Sequence, residues 1–248
     1  MTSISSVAEL LESFRAASSR PKLIWYGEAN ERIELSGRVL DNWVAKTSNL
    51  LVEELDAGDS TVVAMNLPPH WKSLVWALAC WQVGARSAIT EPSAEADIRL
   101  SMEADVARND IADNGVLVFI APGALDVRWP GELPAGSVDY AASVRSYGDV
   151  YLEEPALPDS VLATDGVRSL TFEDLASAPL AAEDQIASKE PENDDGVWLI
   201  PAALPLHTVL AAVVRIWAGG GAVVLVHPSV EVTDRLLAGE RVTARLAA

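Results

Sequence analysis

Apolar positions recur along this chain at two periods, and each change of period marks a new element. Val7, Leu10, Leu11 and Phe14 follow Ser6 and Glu9, a Ser-x-x-Glu pair with capping-box spacing, so a short amphipathic helix is predicted at the start. KLIWYGEANERIELSG holds two β-rich runs around the polar turn Glu28–Glu31 and reads as a hairpin. From Ser36 the period becomes helical, with Val39, Leu40, Trp43, Val44, Thr47, Leu50 and Leu51 on one side, until the DAGD turn. STVVAMN then predicts a buried strand, Pro69 to Val83 a helix, and RSAIT a second strand: a βαβ unit.

The middle is less regular. From Glu91 to Asp113 seven residues are Asp or Glu against two Arg, which reads as a solvated helix face. GVLVFIAP is a continuous apolar run bounded by Gly115 and Pro122 and predicts a buried strand. PAGSVDYAASVRSYGD predicts a helix capped near Ser137, and YLEEPALPDS, with two prolines and three acids, predicts a connection between lobes.

After that connection the first pattern returns. VLATDGVRSLTFEDL repeats the hairpin, cap and helix of LIWYGEANERIELSGRVL, with Leu35, Ser36 and Leu40 answered by Leu170, Thr171 and Leu175 at an offset of 135. The βαβ stretch from Asp59 is answered by DGVWLIPAALPLHTVLAAVVRIWAGGGAVVL, where Asp59, Pro69 and Gly84 align with Asp195, Pro205 and Gly220 at an offset of 136. The expected fold class is therefore α/β, built as two related lobes, residues 1–150 and 151–248, that share a βαβ unit.

Composition narrows what such a protein does. The net charge of −18 repels phosphate backbones and anionic lipid, which excludes nucleic acid and membrane surfaces as expected partners. Two apolar windows were measured against the roughly 20 residues of a membrane span. Leu74–Val83 is too short, and Thr208–Val226 is cut by Arg215 and Gly219-Gly220-Gly221. Cys80 is the single cysteine, so no internal disulfide forms, and the first residues lack the basic-then-apolar layout of a secretory signal. A cytoplasmic protein is expected.

No standard catalytic constellation is written in the chain: no nucleophile elbow, His-Glu-x-x-His, cysteine pair, dinucleotide fingerprint or Walker loop. His70, His207 and His227 lack metal-ligand spacing, so neither a metal nor a catalytic residue nor a cofactor is assigned. AGGGA at 218–222 follows a helix and precedes a strand, the polarity of a helix stop; phosphate loops lead into a helix. Cys80 sits mid-helix without a cation to activate it and reads as core. His70 and His207 stand near the starts of the two matched helices, and with Asn66 they form the candidate lining of a ligand cleft.

RIELSGRVLDNWVAKTSNLLVEELDAGDSTVVAMNLPPHWKSLVWALACWQVGARSAI resembles the N-terminal part of adenylate-forming enzymes, the acyl-CoA synthetase superfamily, through Leu40, Gly58-Asp59, Val62, Leu67-Pro68, Ala77–Ala79 and Gly84-Ala85. Leu204-Pro205-Leu206-His207 and Gly221-Ala222-Val223-Val224-Leu225 are similar to two further segments of that family, and the likeness covers roughly 24–90 and 195–227. More narrowly, the chain resembles a short, uncharacterised, actinobacterial-type group with a truncated layout. The resemblance implies the fold of the family's N-terminal subdomains. It also implies a loss. The family's phosphate loop is rich in Ser, Thr and Gly and ends in Pro-Lys, but in its place stands LATDGVRSLTFEDL, with one glycine, no Pro-Lys and Asp165. The Tyr-Gly-x-Thr-Glu segment, the ribose-binding Asp motif and the mobile domain with its catalytic Lys have no counterpart, and only His207 matches a family site position.

The leading expectation is a non-catalytic relative that serves as a scaffold for a small molecule, acyl or nucleotide in nature, or for a protein partner or a second copy of itself. The alternative is a residual or novel ligase acting on a carboxylate, acyl or nucleotide ligand between the lobes.

Overall fold

A computed structural model describes residues 4–16, 19–89, 96–103, 115–152, 157, 160–164, 167–180, 182–185 and 196–247. The chain forms α1 (Val7–Ala16), β1 (Pro21–Tyr26), β2 (Arg32–Ser36), α2 (Gly37–Glu53), β3 (Val62–Met65), α3 (Trp71–Gln82), β4 (Arg86–Ala88), β5 (Ile98–Ser101) and β6 (Val116–Phe119). It continues with β7 (Val138–Asp139), α4 (Tyr140–Ser143), β8 (Ala163–Thr164), β9 (Ser169–Leu170), α5 (Phe172–Ala176), β10 (Ala182–Gln185), β11 (Val197–Pro201), α6 (Leu206–Ala218), β12 (Ala222–Val226), α7 (Asp234–Gly239) and β13 (Ala244–Leu246).

These elements divide into two compact units. The first comprises Met1–Asp41, Pro68–Trp71 and Phe172–Ala248; the second comprises Asn42–Leu67 and Lys72–Thr171. The division differs from a boundary at residue 150, because each half of the sequence contributes a hairpin to the other half's sheet. The first unit's sheet runs β10-β13-β11-β12-β1-β2, and the second's runs β7-β6-β5-β3-β4-β8-β9. In each, a parallel βαβ pair (β11 and β12, β3 and β4) is flanked by a parallel strand on one side (β13, β5). On the other side stands a hairpin whose first strand is again parallel (β1, β8). The two sheets thus share an order of strands, and the hairpin of each comes from the other half of the sequence.

Local chemistry explains the element ends. Ser6 Oγ accepts the Glu9 amide at 3.2 Å as predicted, but the Glu9 carboxylate bonds the Ser5 amide and hydroxyl, one residue earlier than a reciprocal box requires. The buried face of α1 is Val7, Leu10, Leu11 and Phe14, each such side chain contributing about 1.5–3 kcal/mol, and Phe14 meets Trp217 edge-on at 5.2 Å. Ser36 Oγ caps α2 by accepting the Val39 amide at 3.3 Å. Leu40, Val44, Thr47, Leu50 and Leu51 are buried as the period predicts; Val39 is exposed, since it lies at the rim of the apolar stripe. The hairpin β1–β2 turns at Ala29 and Asn30, both at positive φ, which is the primed turn that matches strand twist.

Two predictions in the middle of the chain are corrected. Ile98–Ser101, inside the acidic stretch read as a helix face, is the buried strand β5 between β3 and β6; the rest of the stretch, apart from Ala96, Asp97, Met102 and Glu103, lies outside the described residues. The helix expected from Ser137 is a single turn, α4, capped by Asp139, whose Oδ1 accepts the Ala142 amide at 3.2 Å; the Ser137 hydroxyl bonds Pro134 O instead. No described helix is long and apolar enough to cross a membrane.

Candidate functional site

In open α/β sheets ligands gather at the carboxyl ends of parallel strands. In the first unit β1, β12 and β11 are adjacent and parallel, with Tyr26 beside Val226 and Val226 beside Pro201, so Gly27, His227 and Ala202 begin the loops at that edge. Trp25, next to the end of β1, is buried at 2% exposure. His70 packs edge-on against it with ring centroids 4.6 Å apart, and His227 does the same at 6.1 Å. His70 is buried and also lies 5.9 Å from the Trp71 ring.

The Ser229 amide donates to His227 Nδ1 at 3.2 Å and the Ser229 hydroxyl lies 2.8 Å from the same atom, while Nε2 lies 3.7 Å from Glu28 Oε1. The sequence marks His70 and His207 by their place near the starts of the two matched helices, and His227 does not share that place. The signal that identifies it is positional: it directly follows the strand β12, as Gly27 follows β1. His207, the second residue of α6, is half-buried in the same unit, whereas Asn66 is exposed in the second unit just after β3.

At the outer side of this edge Arg32 donates to both Glu240 oxygens, at 2.9 and 3.1 Å, and to Glu34 at 2.8 Å. The Tyr26 hydroxyl also bonds Glu240, and the Arg32 guanidinium lies 5.9 Å over the Tyr26 ring. Burial pushes the Glu240 carboxyl up, but the two donors outweigh it and hold the group below its ordinary value; Tyr26 is raised, by burial first and then by Glu240.

Two buried lysines, Lys22 and Lys72, are committed to the protein itself. Pro21-Lys22 is a Pro-Lys pair, yet Lys22 Nζ donates to Gly220 O at 2.7 Å and Gly221 O at 3.2 Å, closing the end of α6; burial, then Arg20, lowers its pKa. In the second unit Lys72 Nζ donates to Ala121 O at 2.6 Å and Gly123 O at 2.7 Å. Cys80 is fully buried, and burial pushes its thiol up to about 12, in keeping with a core residue. Among the described residues no group of three His, Cys, Asp or Glu is placed to hold a metal ion.

No protein-family model matches the sequence. A Mycobacterium tuberculosis (strain ATCC 25618 / H37Rv) protein described as a TIGR03089 family protein is 34% identical over 239 residues, which cover 92% of each chain. The chain belongs to the TIGR03089 family. Solved structures add the fold. A Brucella canis acyl-CoA synthetase matches at TM-score 0.67 and 17% identity, over 98% of this chain and 47% of its own. Acetoacetyl-CoA synthetase from Streptomyces lividans matches at 0.65 and 17%, over 94% and 40%. The N-terminal domain of FACL13 from Mycobacterium tuberculosis matches at 0.59 and 16%, over 96% and 61%. This TIGR03089 family member thus has the fold of an acyl-CoA synthetase N-terminal region, and it spans about half the length of the first two synthetases.

Proposed function

We propose that this protein is a non-adenylating member of the acyl-CoA synthetase fold, a cytoplasmic scaffold that binds a small acyl or nucleotide-like ligand. The observation that carries the reading is the link between β8 and β9. Where the family's phosphate loop would run, four residues, 165–168, join two antiparallel strands, too few to wrap a triphosphate with backbone N–H groups. Removing even one donor that stabilises developing charge costs catalysis about 100-fold or more. The internal commitments of Lys22 and Lys72 point the same way.

The proposed ligand site is the strand-end edge of the first unit, with Trp25, His70 and His227 as an aromatic and hydrogen-bonding floor and His207 at the start of α6. Purified protein with ATP, Mg²⁺ and a panel of carboxylic acids should exchange no pyrophosphate into ATP; exchange above a no-protein control would establish the ligase alternative. Thermal-shift screening of acyl compounds, CoA and nucleotides tests the binding half, because a ligand at 100 times its Kd stabilises by about 2.7 kcal/mol.

A further inference from the structure

Residues 147–152, where the stretch read from sequence as a helix gives way to the connection that starts at Tyr151, form a strap laid along α2 within the second unit. Lys46 Nζ donates to Tyr147 O, Asn49 Nδ2 donates to Gly148 O at 2.9 Å and Val150 O at 3.0 Å, and the Tyr147 hydroxyl donates to Glu54 at 2.7 Å. Four side-chain hydrogen bonds therefore fix a backbone whose next apolar side chains point to water: Val150 is 61% exposed and Leu152 88%. Holding such residues in place without burying them forgoes the main reward for ordering a chain.

The electrostatics of the same surface select a partner. The 17-residue helix α2 ends beside the strap with no basic residue in its last turn, so no side-chain cation offsets the negative end of its dipole from within that turn. Glu53, Glu54 and Asp149 add carboxylates there, all exposed. Burial, then Glu54 as hydrogen-bond acceptor and the charge of Glu53, push the Tyr147 hydroxyl up to about 12. The nearby cations, Lys46 and Arg145, are turned onto the backbone carbonyls of Tyr147 and Ala141. A second copy would bring the same acids and a net charge of −18, and an anionic membrane would be repelled.

We propose that the strap, with Val150 and Leu152 flanked by Glu53, Glu54 and Asp149, is a docking surface for a basic amphipathic segment of another protein. The apolar pair supplies contact area, and the acids with the end of α2 supply complementarity and steering.

The test uses the full chain and a fluorescent synthetic amphipathic peptide of Leu and Lys as probe, followed by anisotropy. Wild type should bind it, and Leu152→Ser should weaken binding at least tenfold, as should the double variant Glu53→Gln/Asp149→Asn, which leaves the hydrogen bonds of the strap in place. A control pair on other surfaces, Glu132→Gln/Glu231→Gln, should stay within twofold, with all thermal midpoints unchanged. Absence of wild-type binding, an unaffected Leu152→Ser protein, or equal weakening by the control pair would overturn the assignment. Sedimentation showing a wild-type dimer that Leu152→Ser dissolves would give the surface to a second copy and overturn it as well.

Discussion

Gly84 and Gly220 occupy the same place in two different sheets. Each follows the helix of a parallel βαβ pair, and each adopts a left-handed backbone, with φ of 84° and 93°. The Gly84 amide bonds Trp81 O at 3.3 Å and the Gly220 amide bonds Trp217 O at 2.9 Å, so both satisfy carbonyls that the helix end leaves open.

At Gly84 an added side chain would also meet Asp59. Gly220→Ala should destabilise by about 1–2 kcal/mol, the cost of a left-handed L-residue. Gly84→Ala should cost more, because the new Cβ would lie 2.2 Å from Asp59 Oδ1. Shortening that carboxylate with Asp59→Ser should recover the excess in the Gly84→Ala background. Urea midpoints of the four variants decide it, and equal losses at the two glycines would sink the steric argument.

The exchanged hairpins make each half of the chain incomplete. Residues 1–150 lack the β8–β9 hairpin that pairs with β4, and residues 151–248 lack the β1–β2 hairpin that pairs with β12. Each fragment alone would leave a strand edge open in its core sheet. Neither should unfold cooperatively by itself, and an equimolar mixture should regain native near-ultraviolet dichroism. A fragment with its own sharp transition would show that the exchange is dispensable.

What the sequence revealed and what it hid follow from range. Hairpins, caps and βαβ pairs are set by neighbours within a few tens of residues, and their periods mark them in LIWYGEANERIELSG and in VLATDGVRSLT. The pairing of Leu23 with Val223 joins residues that no local pattern connects, so the lobes were cut at 150 while the sheets cross that point. Ile98–Ser101 was lost because acidic flanks masked four buried positions, Arg99 among them. At the candidate site His70 is legible from its place before a helix, but its packing on Trp25, and that of His227 on the same ring, lie outside any local pattern.

The hairpin turn carries a removable cost. Ala29 sits at φ 51°, ψ 32°, the first central position of a primed turn, where Asn, Asp or Gly is favoured. Ala29→Asn should therefore stabilise by about 0.5–1 kcal/mol. A lower urea midpoint in the variant would mean that the alanine methyl makes a contact worth more than the backbone strain.

The Tyr26, Arg32 and Glu240 cluster makes stability depend on pH at both ends of the scale. Glu240 has a folded pKa below its ordinary value of 4.5, so its contribution is present above about pH 4.5 and is lost as pH falls through the folded value. Tyr26 has a folded pKa above its ordinary value of 10.0, so its contribution is present below pH 10 and is lost as pH rises through that folded value. Glu240→Gln should flatten part of the acid limb of a plot of urea midpoint against pH, and Tyr26→Phe part of the alkaline limb. Each variant should also soften the opposite limb, because Tyr26 is one of the donors that hold Glu240 low and Glu240 is one of the causes that raise Tyr26, and both lower the plateau because Arg32 loses a partner. Parallel curves for wild type and Glu240→Gln below pH 4.5 would mean that the carboxylate gains nothing from Arg32 on folding.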